Sequence, residues 1–64
     1  MGQFIVTVSN YQGKERIVSD FARKHNGLWD GERVVFALHD DAERFMMAVD
    51  SRGVGCSVPR EENS

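Results

Sequence analysis

Between Arg33 and Val58 the chain carries an unbroken strand–helix–strand pattern, and few architectures accommodate one so short. Val34, Phe36 and Leu38 alternate at the two-residue period of a half-buried strand. Asp40-Asp41-Ala42-Glu43 then reads as a capping box, with Glu43 able to reach back to the Asp40 amide. Ala42, Phe45, Met46 and Val49 follow at helical spacing, Arg52 and Gly53 supply the helix stop, and Val54, Cys56 and Val58 alternate again. The first half of the chain has the same order. Phe4, Val6 and Val8 alternate with Gln3, Ile5, Thr7 and Ser9. After a turn-like stretch from Ser9 to Gly13, Ile17, Val18, Phe21, Ala22 and His25 mark one side of a helix that Asn26-Gly27 ends.

The two halves meet at a hairpin. Asp30-Gly31 between apolar runs predicts a type I′ turn, because both of its central positions need positive φ. A two-residue turn sets Trp29 opposite Glu32, and a four-residue loop sets it opposite Val34. Either places Trp29 on the side of Val34, Phe36 and Leu38.

The sum is βαββαβ. Right-handed crossovers put both helices on one face of the sheet. The predicted fold class is therefore α+β: a ferredoxin-like βαββαβ sandwich, with a four-stranded antiparallel sheet in the order 4-1-3-2 and two helices on one face. Its expected core is Phe4, Val6, Val8, Ile17, Phe21, Trp29, Val34, Phe36, Leu38, Phe45, Met46, Val49, Val54 and Val58. Residues 1–58 form the single domain, and the polar residues 59–64 are expected to be a flexible tail.

Composition narrows the function classes. A 64-residue chain buries only about 60% of its unfolded surface, so stability is expected to come from a dense small core or from a partner, a second copy included. Eight basic residues against ten acidic ones give a net charge of −2. They offer no clustered Lys and Arg for a phosphate backbone, which makes nucleic acid an unlikely partner. The lone Cys56 cannot form an intramolecular disulfide. No apolar run approaches the roughly 18 residues of a membrane span, and nothing reads as a signal peptide. The expectation is a cytoplasmic protein with no membrane association.

The sheet face turned away from the helices is the first candidate site. Alternation assigns to it Ile5, Thr7, Leu28, Arg33, Val35, Ala37 and His39, with Ile5, Leu28, Val35 and Ala37 forming an apolar centre where a solvated face would be polar. Asp30, Glu32, Asp40, Asp41 and Glu43 are expected to form an acidic edge around strands two and three. His39 beside Asp40 and Asp41 raises the question of a base or a metal ligand. Carboxylates that diverge around a helix start make a poor ligand set, so no metal, cofactor or catalytic residue is assigned. Gly53-Val54-Gly55 runs from helix to strand, the reverse of a phosphate loop.

The stretch DDAERFMMAVDSRGVGCSV, residues 40–58, resembles the last helix and strand of RNA-recognition motifs: an acidic start, Asp-Ala-Glu, an apolar stripe and Gly before the final strand. The resemblance covers residues 31–58 and implies the same ferredoxin-like fold. It also implies RNA binding through stacking residues on the exposed faces of strands one and three. The matching positions here are Ile5, Arg33 and Val35, and none is aromatic. In size and acidic character the chain is also similar to small bacteriophage host-takeover and anti-CRISPR proteins.

These readings converge on a small non-catalytic protein-binding module, a regulator or inhibitor that uses its open sheet face or an edge strand against a protein partner or as a homodimer. The alternative is a small dimeric ferredoxin-like enzyme with a site near His39, completed between subunits. A nucleic-acid-binding domain comes third.

Overall fold

The structure, a computed structural model, describes residues 2–63. The alternating apolar run at the start forms β1 (Gly2–Ser9), and the first amphipathic stretch forms α1 (Glu15–Lys24). The hairpin comprises β2 (Leu28–Asp30) and β3 (Arg33–Phe36), followed by α2 (His39–Asp50). The chain ends in two short strands, β4 (Gly55–Cys56) and β5 (Arg60–Asn63). All pairings are antiparallel, in the order β2-β3-β1-β4, with β5 also on β1. This α+β arrangement is consistent with the expected ferredoxin-like one.

Both helices end by the same device. Asn26, at φ 63°, and Gly53, at φ 83°, take the left-handed conformation that stops each helix. After α1, the Gly27 amide donates to the Ala22 carbonyl at 2.6 Å and the Asn26 amide to Arg23. After α2, the Val54 amide donates to Val49 at 3.1 Å and the Gly53 amide to Asp50. These are Schellman closures, and in the second one Val49 and Val54 are both buried beside the closure.

The helix starts depart from expectation. α2 begins at His39, with Leu38 as its N-cap and no side-chain cap bond, so the Asp40 capping box does not form. Asp40 and Asp41 lie in the first turn, where their charge still favours the helix dipole. Because β3 ends at Phe36, Leu38 leaves the strand register and stands 61% exposed instead of in the core. The hairpin takes the second of the two expected registers, with a different turn. Trp29 pairs with Val34 and Asp30 with Arg33, leaving Gly31-Glu32 as the two-residue turn. Gly31 has φ 64° and Glu32 is not left-handed, the pattern of a type II′ turn rather than I′.

Residues 60–63 are not a loose end: they pair with β1 from Gly2 to Ile5. Val8 faces Cys56 while Ile5 faces Arg60, so three steps along β1 match four along the last strand. The extra residue makes a bulge at Ser57–Pro59, where proline's missing amide is tolerated. Ser57 repairs the interruption: its amide donates to the Thr7 carbonyl at 2.8 Å, and its hydroxyl accepts from the Thr7 amide at 2.9 Å. The bulge also turns Val58 outward, 78% exposed, and removes it from the expected core.

The core is Val6, Val8, Val18, Ala22, Val34, Phe36, Ala42, Phe45, Val49 and Val54, with Phe4, Phe21, Trp29 and Met46 packed at its margin. Burying each larger side chain contributes about 1.5–3 kcal/mol. Phe36 and Phe45 meet at 5.2 Å between ring centres. Gly27 is pressed onto Phe36 and Val34: a Cβ there would stand 2.5 Å from the Phe36 ring and 2.8 Å from Val34. Gly27→Ala is therefore expected to lower unfolding free energy by about 1–3 kcal/mol. Combined with Phe36→Leu, which makes room, the loss in a urea melt should be smaller than the two single losses added; strict additivity would contradict the contact.

Candidate functional site

The face away from the helices carries a row of side chains across four strands. Register places Leu28 beside Val35, Val35 beside Ile5, and Ile5 beside Arg60. Leu28 is 75% exposed, Val35 is half-buried, and Ile5 is only 8% exposed because its neighbours on both sides cover it. The next row holds Asp30, Arg33 and Thr7, all exposed, with Asp30 and Arg33 directly opposite. Five of the seven residues assigned to this face are thus brought together. Ala37 lies in the bend after β3, and His39 is the first residue of α2. His39 packs edge-on against Phe4 at 5.3 Å, and Phe4 belongs to the core side, so His39 sits at the helix layer and not on the open face.

The expected acidic edge is split. Asp30 and Glu32 lie at the β2–β3 turn, whereas Asp40, Asp41 and Glu43 lie at the start of α2, at the other end of β3. They form two separate acidic corners.

At the α2 corner, His39 Nδ1 lies 2.7 Å from Glu43 Oε1. One ligand atom each of His39, Asp40 and Glu43 falls within 4.8 Å of the others, but all three side chains are exposed. The His39–Glu43 pairing accounts for their proximity as an ordinary i,i+4 contact. The same corner opens a groove of about 230 Å³ between α2 and the bulge, lined by His39, Glu43, Met46, Met47, Val58 and Pro59. Met47, 74% exposed, and Val58 form its apolar walls. Sequence reading missed this groove because the bulge that turns Val58 outward has no signal beyond Pro59.

At the turn corner, residues 7–12 with Glu15 and Glu32 line a larger cleft of about 830 Å³. Its contributors are the end of β1, the loop into α1 and the hairpin turn. Asn10 holds φ 54°, which swings the loop around the cleft. Tyr11 packs edge-on against Trp29 at 5.8 Å, fixing its ring at the cleft wall. The Trp29 indole Nε1 is buried with no hydrogen-bond partner among the described residues. Tyr11, Gln12 and Glu15 were not among the sequence candidates, since a connecting loop and a helix start gave no periodic signal to read.

Cys56 lies on β4 facing the core, its thiol 3.7 Å from the Met46 carbonyl. Burial pushes its pKa above the ordinary thiol range, and the Asp50 charge adds to the shift. The thiol is therefore protonated at neutral pH and a weak nucleophile.

No protein-family model, no curated protein and no solved structure matches this chain. The site must be read from its own geometry. For Cys56 the sign is definite: an acid with a raised folded pKa loses stability as pH climbs past its unfolded value of about 8.5. Alkylation at pH 8 should run slower for Cys56 than for a free thiol, and Asp50→Asn should accelerate it. A rate equal to that of free cysteine would contradict the burial of the thiol.

Proposed function

We propose that this protein is a non-catalytic binding module of ferredoxin-like βαββαβ architecture that docks its open sheet face on a protein partner, as a small regulator or inhibitor does. The observation that carries the reading is the exposed Leu28 beside the half-buried Val35, apolar surface on the face no helix covers, with Ile5 buried next to them. Flanking it with Arg33, Thr7, Asp30 and Arg60 gives an apolar centre and a polar rim, the layout of a protein interface. The positions that would stack bases in an RNA-recognition motif are Ile5, Arg33 and Val35, and an aliphatic pair with one arginine favours a protein surface over RNA.

The edges favour face docking over strand addition. β2 offers only three residues, and β5 is charged, preceded by Pro59 and offset by a bulge, all features that discourage pairing with a further strand.

Leu28→Ser and Val35→Asp test the reading. Leu28→Ser, at an exposed position, is expected to leave the melting temperature within a few degrees of wild type. Both are expected to weaken capture of a cytosolic partner, or self-association measured by light scattering, by about tenfold or more. Undiminished association in both variants would refute docking through this face.

A further inference from the structure

The turn-corner cleft has a chemical preference of its own. Its charged lining is Glu15 and Glu32, and the rest is Val8, the Tyr11 ring and neutral hydroxyl and amide side chains whose oxygens can accept hydrogen bonds. No basic side chain lines it. Lys14, next in sequence to Glu15, turns the other way: its ammonium lies against Gly53 at the end of α2. Arg33, across from Thr7 at the rim and opposite Asp30 on β2, lies outside the cleft lining. The α1 N-terminus adds about half a positive charge, which two carboxylates outweigh. Carboxylates, neutral acceptors and an aromatic ring together suit a guanidinium, which offers five donors and a cationic plane for stacking.

Thr7 connects this cleft to the open face, since it stands in the row beside Ile5 and also lines the cleft. A partner lying over Leu28 and Val35 therefore has a continuous path into it. We propose that the cleft between the β1–α1 loop and the β2–β3 turn receives an arginine side chain of the protein partner, held by Glu15 and Glu32 with Tyr11 beneath it. This rests on the reading of the open face as a protein-docking surface, and it names the charge that such a partner brings.

The chain supplies its own reporter, because its single tryptophan, Trp29, packs against Tyr11. The full-length protein is titrated with acetyl-Gly-Arg-Gly-amide and with its citrulline counterpart, which keeps the shape and removes the charge. Trp29 fluorescence and the amide NMR shifts of residues 7–15 are followed. The arginine peptide is expected to give a saturable response that weakens with added salt, with the citrulline peptide about tenfold weaker. Glu15→Gln with Glu32→Gln, both at exposed positions, should weaken the arginine response about fivefold or more. No saturable response, an equal response to citrulline, or a response to inorganic phosphate instead would overturn the proposal. Val35→Asp separates the two readings: it should weaken partner docking by about tenfold or more and leave the peptide response intact. Loss of the peptide response with docking through Val35 preserved would sink the cleft alone.

Discussion

Val6 and Val8 are buried on a strand that is hydrogen bonded along both edges, and every other element is placed relative to it. β1 pairs with β3 on one side and with β4 and β5 on the other, while its inward side chains pack under α2. In so small a chain one central strand must satisfy nearly all the long-range pairing. Its backbone groups have to be met at every step, and its alternation fixes which face becomes core. A slip of one residue would exchange Val6 and Val8 for Thr7 and turn the core outward.

The bulge is where the last strand departs from that alternation. A continuous register from the Val8–Cys56 pair would set Val58 beside Val6 on the core side. The extra residue resets the phase, with Ser57 supplying both bonds that the ladder loses to Thr7. A consequence is that Arg60, not an apolar residue, lies beside Ile5 on the open face and shields it. The open-face row is apolar at Leu28 and Val35 and basic at its far end. The same bulge turns Val58 outward beside Met47 and opens the groove at α2.

The binding reading depends on this layout more than on any single side chain. An apolar row, a polar rim and an acidic cleft at one corner are adjacent because β1 ends where the α1 loop and the hairpin turn converge. The His39–Glu43 corner lies beyond the opposite end of β3, so it takes no part in that surface.

The amino-acid sequence by itself determined the element order as far as β4, the two helix stops at Asn26 and Gly53, and the assignment of Val6, Val8, Val34, Phe36, Phe45 and Val49 to one core, but not the last strand, β5. Those features follow from local periodicity and from backbone conformations that only certain residues adopt. The open-face positions Ile5, Thr7, Leu28, Arg33 and Val35 were legible for the same reason, since alternation assigns both faces of a strand at once. What only the tertiary structure decided lies where local signals compete. Leu38 and Val58 continue an apolar alternation, yet β3 ends before Leu38, which becomes the N-cap of α2, and the bulge reverses Val58. Asp30-Gly31 suits one turn, but pairing Trp29 with Val34 requires another. The cleft is the clearest case, because Glu15 and Glu32 are distant in sequence and polar, and no periodicity links them. They line one cleft only because a loop and a turn meet at the end of one strand.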